Sequence, residues 1–504
     1  MRRTFAIAVT TMLMMMLAPS GSAQVPPTPP RDQWYAQNDT GHWQNPTTRV
    51  RIDDACLALP TEAERMSCSL DAFQKRPFVV IALTDSGINA YQQDFRAPEF
   101  VHHPSKYIEG YPQNAQALDL SLNVADQEGY EAARNVDEET WDGVQSSKLY
   151  WFPGTRIVGG ISIAAGGGGT YPDWPILDEN GHGTGTASVA AGQFYGSNPN
   201  ALIVEVEGLG DGPLNWAASQ PWIDIVSNSW GPAIAGVSTG AVQGTKTATT
   251  RGQSILFSSG NGNFNTNSNP MCLPQTSVCV SWGPGGTIPV EDPCKCKVPN
   301  SNVSLLSHNK GPSWIMAIGA ASPINGQSHW WHGVPVDVSS FGSKWAAAGA
   351  FSAEITNKRD FGGTSCASPI TAGVLSSVIL KAREVLGDTT AGQKPGGVVA
   401  QAAQGVTPPA TGPLADGKLT RLEAEAIVTK TAQPVPFDPV KASWDYAIYP
   451  TTPLYYTYQG YGIVDRGSKS RALSVLLGET AMPDRAEVDT FMAQVDAARD
   501  AIYD

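Results

Sequence analysis

The sequence predicts an α/β fold, with a mostly parallel central sheet, helices on both faces and long loop insertions. Three observations carry this. Continuous apolar runs bounded by turn residues recur at 77–84, 201–206, 223–226, 254–257 and 314–320, the pattern of strands buried on both faces. Helical patterns at 182–192 and 365–386 alternate with them, as crossover helices do in a parallel sheet. Finally, the first run ends at Asp85, and α/β sheets place their sites at the carboxyl ends of strands.

Taken in chain order, Met1-Arg2-Arg3 opens a basic segment. An apolar stretch from Phe5 to Leu17 and the small residues Ser20-Gly21-Ser22-Ala23 follow. This is the layout of a signal peptide over residues 1–23, cut after Ala23, and the stretch is short for a bilayer span. The expected location is secreted or periplasmic (cell envelope), with no stable membrane anchor left after cleavage. Residues 24–75 are polar, aromatic and Pro-rich, and read as an irregular N-terminal segment. Residues 76–480 form the main domain, with insertions near 95–178, 262–310 and 387–418. The first includes a glycine run at 166–169. No Lys-Ser/Thr follows it, so it reads as a loop and not as a phosphate cradle. Residues 481–504 carry Val488, Phe491, Met492, Val495, Ala498 and Ile502 at helical spacing, which predicts an amphipathic terminal helix.

Composition narrows the partners. Of 504 residues, 41% are hydrophobic, ample for a packed core. The net charge of −13 argues against nucleic acid, which needs basic patches. Seven cysteines fit an oxidising compartment. Cys56 and Cys68 lie close together, Cys272, Cys279, Cys294 and Cys296 cluster, and Cys366 stands alone. Up to three disulfides and one free thiol are expected, with zinc as the rival for the cluster of four.

The chemistry resides in Asp85-Ser86-Gly87, His182-Gly183-Thr184 and Gly363-Thr364-Ser365-Cys366-Ala367-Ser368-Pro369. A serine hydroxyl becomes a nucleophile when an imidazole takes its proton. That imidazole needs an acid on its other nitrogen. Ser365 begins an apolar helix, whose first N–H groups can meet a developing oxyanion. Gly181 and Gly183 are expected to leave room for a substrate backbone.

Together these segments resemble the subtilase family of serine peptidases, over residues 78–477. The resemblance implies a subtilisin-like three-layer fold and a triad of Asp85, His182 and Ser365. Ser258-Ser259-Gly260-Asn261 resembles the oxyanion loop, making Asn261 the side-chain donor and Ser259 and Gly260 substrate-binding. Ser229-Trp230-Gly231 resembles the substrate-channel strand, with Trp230 as a pocket wall. Tyr458-Gln459-Gly460-Tyr461-Gly462-Ile463-Val464-Asp465 resembles the end of the catalytic domain. Cys366 stands where the family often has Met, and reads as a buried thiol.

The chain departs from the family pattern in four places. The Asp85–His182 and Asn261–Ser365 intervals are longer than in compact members. Asp94 matches a calcium ligand by its spacing from Asp85, but residues 193–200 are short for completing that site. The usual prodomain is not evident, so residues 24–75 are either a short propeptide or part of a different maturation route. The expected function is secreted serine endopeptidase action on protein or peptide substrates through an acyl-enzyme. No cofactor is required for chemistry, and structural calcium is a candidate ion. A processing peptidase or peptide cyclase with the same triad, and a binding protein with a relic site, are the alternatives.

Overall fold

Buried aliphatic strands organise the molecule. The computed structural model describes residues 61–124, 126–163, 174–230, 239–259, 271–273, 278–280, 312–321, 328–330, 336–342, 345–349, 351–354, 358–389, 392, 398–434 and 460–500. Its strands are β1 (Val80–Asp85), β2 (Gln116–Ala117), β3 (Tyr150–Trp151), β4 (Ile157–Ser162), β5 (Leu202–Glu207), β6 (Ile225–Asn228), β7 (Ser254–Ser258), β8 (Met271–Leu273), β9 (Val278–Val280), β10 (Met316–Ala321), β11 (Ser328–Trp330), β12 (Val338–Phe341), β13 (Trp345–Ala348) and β14 (Lys358–Phe361). The helices are α1 (Glu62–Gln74), α2 (Gln127–Val136), α3 (Glu138–Asp142), α4 (His182–Ala191), α5 (Asp211–Ser219), α6 (Thr239–Thr250), α7 (Thr364–Leu386), α8 (Arg421–Thr431), α9 (Arg466–Leu476) and α10 (Ala486–Asp500).

The main sheet has the order β11-β10-β7-β6-β1-β5-β4-β3-β2, with β12 also paired to β10. From β4 through β5, β1, β6 and β7 to β10, and on to β12, every pairing is parallel. Antiparallel pairs occur only towards the margins, at β3–β4 and β10–β11. β1 is therefore central, and Asp85 lies at its carboxyl end beside Glu207 of β5.

Because side chains alternate along a strand, the central strands feed two cores. Ile81, Leu83, Ile203, Ile225 and Ile318 face one, which includes Ile370, Val374 and Val378 of α7. Val80, Ala82, Val204, Val226 and Phe257 face the other, with Leu214 of α5 and Val242 of α6. Each such side chain contributes roughly 1.5–3 kcal/mol when fully buried. α7 is long and apolar enough to cross a membrane, but it is almost wholly buried as a core helix.

One buried ion pair ties α7 to this sheet. Arg383 and Asp224 are both fully buried and bonded in a fork: Nη2 donates to Oδ1 at 2.6 Å and Nη1 to Oδ2 at 2.9 Å. Arg383 also donates to the carbonyls of Phe78, Gly392 and Val398. Asp224 accepts a further bond from Val80 N–H, at the start of β1.

The predicted runs become β1, β5, β6, β7 and β10, with ends shifted by a few residues. Three expectations are corrected. The 95–178 insertion contains a core strand, β4. Cβ atoms at Gly159 and Gly160 would lie 3.1 Å from Val204 and 2.7 Å from Phe152, so glycine is what lets neighbours close over the strand. The segment 24–75 is irregular in expectation but ends in α1, opened by a Thr61–Glu64 capping box. Phe73 of α1 is fully buried, with ring centroids 4.7 Å from Phe100 and 5.0 Å from Tyr107. The 387–418 excursion carries Val398, Val399 and Leu414 into the core. The terminal helix is α10. The signal-peptide segment lies outside the described residues.

Candidate active site

Asp85 ends a fully buried strand, which holds its carboxylate rigidly. Oδ1 accepts from Ser86 N–H at 2.8 Å and pairs with His182 Nδ1 at 2.7 Å. Thr186 Oγ1 donates to Oδ2 at 3.3 Å. A carboxylate only accepts, so in this pair the imidazole proton belongs on Nδ1, and Nε2 of a neutral ring is the base. Asp85 is buried, whereas the His182 side chain is about one-third exposed, 31%. The acid is thus shielded and the base reaches the surface.

The start of α4 is built without an ordinary cap. Its N-cap is Gly181, left-handed at φ 89°. Asp178 supplies the missing acceptor. Oδ1 takes the N–H groups of Asn180 and Gly181, and Oδ2 that of Thr184. Ser86 Oγ donates to Asp178 Oδ1 and accepts from Gly183 N–H, so the turn after Asp85 is bonded to the turn that carries His182. Gly183 does not serve substrate approach as expected. A Cβ there would lie 2.2 Å from the Gly87 carbonyl oxygen, so its absence lets the two turns meet. Phe361 packs against His182 edge-on, with centroids 5.4 Å apart.

Ser365 lies in the first turn of α7, after Gly363 at φ 74°. The N–H groups of such a turn have no intrahelical acceptor. Ser365 Oγ donates to the Ser229 carbonyl at 3.1 Å, and Ser229 Oγ returns a bond to the Ser365 carbonyl at 3.1 Å. Ser365 Oγ thus rests on the Ser229 carbonyl. α4 and α7 are held close together: a Cβ on Gly373 of α7 would lie 2.5 Å from the Ala190 carbonyl oxygen. Cys366 is fully buried, and burial pushes its thiol well up. It is an inert neighbour of the serine.

Of the predicted substrate-binding residues, Ser229 lies directly against Ser365. Ser259 follows β7 and is buried, its N–H donating to the Ile318 carbonyl at 2.9 Å. Trp230, expected as a pocket wall, lies just after β6. Its ring is buried against Phe257, and Nε1 donates to Thr84 Oγ1 at 2.6 Å. Gly231, Gly260 and Asn261 lie outside the described residues.

Asp94, expected as a calcium ligand, lies between α4 and the segment after it. It is fully buried. Oδ2 accepts from Ser188 Oγ at 2.6 Å, and Oδ1 from Phe194 N–H at 2.6 Å. Ser188 Oγ itself accepts from Ala348 N–H, so its hydroxyl hydrogen is committed to Asp94. Both oxygens thus face donors where a cation would need open lone pairs. Among the described residues no group of three His, Cys, Asp or Glu could hold a metal.

Burial instead lifts the Asp94 carboxyl from 3.8 to about 6. The folded state then holds this proton more tightly than the unfolded chain. Its stabilising contribution is full below 3.8 and is lost as pH rises to about 6, a linkage worth about 3 kcal/mol. Thermal melts across that window should fall with pH in the native chain and fall less in Asp94→Asn. Equal slopes would remove Asp94 from the account.

Four carboxylates therefore crowd this sheet edge: Asp85, Asp178, Glu205 and Glu207. Burial raises the last three. The sequence reading missed Asp178 and Glu205. Asp178 stands before Asn180-Gly181, a turn signal ahead of a helix. Glu205 and Glu207 interrupt an otherwise apolar strand.

A family model described as "Subtilase family" matches residues 78–387. No curated protein matches the chain. Among solved structures, a cold-adapted subtilisin-like serine proteinase matches with 17% identity and a TM-score of 0.36, covering 77% of this chain and 97% of that one. MycP1 with its N-terminal propeptide removed matches with 14% identity and a TM-score of 0.39, covering 81% and 94%.

Proposed function

The chain belongs to the subtilase family, and from that membership we propose an exported serine endopeptidase acting through Asp85, His182 and Ser365. The observation that carries the reading is the 2.7 Å bond between His182 Nδ1 and the buried Asp85, with Ser365 in the first turn of the neighbouring helix α7.

His182 Nε2 takes the Ser365 proton as Oγ attacks the peptide carbonyl. Asp85 keeps the imidazole in the productive tautomer and stabilises the imidazolium that forms. The oxyanion is met by the Ser365 N–H and, by its motif, the Asn261 side chain; one such donor supplies roughly 10²–10³ in turnover. The imidazolium then protonates the leaving amine. Water, deprotonated by the same His182, hydrolyses the acyl-enzyme. Substrates are proteins or peptides, and no step requires a cofactor.

Export is supported by the composition of residues 1–23 and by Cys68, which is disulfide-bonded. Maturation is proposed to cut before α1. Removing that helix would take Phe73 out of an aromatic cluster with Phe78, Phe100 and Tyr107.

A fluorophosphonate probe tests the reading. A single adduct on Ser365, found by peptide mass spectrometry and absent from His182→Ala, is the expected result. A folded native chain that takes no adduct would overturn it and favour a relic site in a binding protein.

A further inference from the structure

Glu205 is an acid in the middle of a core strand. It sits on β5 opposite Leu83 of β1 and is fully buried. Its Oε1 accepts from Gly87 N–H at 3.2 Å. The same oxygen would lie 3.1 Å from a Cβ on Gly183. The carboxyl group therefore sits beneath the seam where the turn after Asp85 meets the turn after His182. Its Oε2 has no hydrogen-bond partner among the described residues. A core strand needs no carboxyl group, and an apolar residue would fill the space without burying a polar atom.

We infer that Glu205 is a positioning residue of the triad: its carboxyl group holds the Asp85–Gly87 turn against the opening turn of α4. The inference rests on the peptidase reading above. The groups that face Glu205 are Asp85 at the end of β1, Asp178 before α4, and Glu207 on its own strand. All are acidic; β4 contributes Gly160 opposite it. His182 is linked to this set through Asp85. Burial first, then these neighbouring charges, favour the protonated acid. A neutral Glu205 leaves Asp85 as the anion that meets His182. An ionised Glu205 adds a second buried negative charge beside Asp85 and repels it. That charge holds a proton on His182 more tightly and loosens the seam. The alkaline end of the activity profile would then report on Glu205.

Glu205→Gln keeps the shape and an acceptor for Gly87 N–H but cannot ionise. Glu205→Leu keeps the bulk and removes the acceptor. Two readouts are needed: kcat and KM against pH on a peptide p-nitroanilide, and the His182 imidazole followed by nitrogen NMR in a Ser365→Ala background. Glu205→Gln should stay within about threefold of native kcat near neutrality and extend activity on the alkaline side. Glu205→Leu should lose about tenfold in kcat at every pH, with KM unchanged. The native His182 signal should show a second, alkaline inflection that Glu205→Gln lacks. Superimposable profiles and His182 titrations for native and Glu205→Gln would overturn the inference. If Glu205→Leu fails to fold, the glutamine comparison still decides. If the native chain cleaves no peptide, the peptidase reading fails, while the NMR arm still decides whether Glu205 couples to His182.

Discussion

His182→Ala lowers kcat by about 10⁶-fold and leaves KM near its native value. The variant removes the group proposed both to take the Ser365 proton and to return it to the leaving amine. Ser365→Ala should cost as much, and the double variant no more, because the two residues act as one unit. Asp85→Asn should cost about 10⁴-fold. It leaves the packing intact, but an amide in place of the carboxylate favours the wrong tautomer of His182. Cys366 does not rescue Ser365→Ala. Its thiol is buried and its ionisation is pushed well up. Purified variants assayed on one peptide substrate, with native contamination bounded by active-site titration, give these numbers. Native turnover in Ser365→Ala would reassign the nucleophile to Cys366.

Arg383→Met lowers the unfolding free energy by about 3–5 kcal/mol, because it strands a buried charge. Asp224 would keep the Val80 N–H but lose both guanidinium bonds. The carbonyls of Phe78, Gly392 and Val398 would lose their donor. Paired replacement, Asp224→Leu with Arg383→Met, should recover much of the loss, since well-packed apolar groups often match a buried pair. Denaturant midpoints measure both. A loss under about 1 kcal/mol in the single variant would mean that the pair behaves as a solvated one.

The legible parts of this fold were those in which sequence and environment agree. β1, β6 and β7 are largely apolar runs, and β5 is one but for its two glutamates, because both faces of the central sheet are covered. The proposed triad residues stood out in the sequence because each lies near glycines at an element boundary. β4 was hidden because Gly159 and Gly160 suit a strand only when Val204 and Phe152 close over it, which is tertiary information. Gly183 was assigned to substrate approach, since a sequence cannot say that Gly87 is the backbone that approaches. The bonds that fix the Trp230 ring, to Thr84 and against Phe257, were not legible, because both partners come from other strands. α1 carried a readable signal in Thr61-Glu62-Ala63-Glu64, outweighed by the polar composition around it. Asp94 fits a ligand by spacing, and only its neighbours Ser188 and Phe194 show donors where an ion would sit.

The sheet order has a consequence for timing. β1 is made early, yet both its neighbours, β5 and β6, come later in the chain. The acid–base bond joins residues 97 apart in sequence, and the Ser365–Ser229 bonds join residues 136 apart. Arg383, which anchors the nucleophile helix, also needs Val398 to have been synthesised. Contacts so far apart form late, after the entropy of closing long loops has been met. A chain still emerging from the ribosome or crossing a membrane therefore has no assembled nucleophile. The proposed serine and the helix that carries it join the acid–base pair only once the last third of the polypeptide is available.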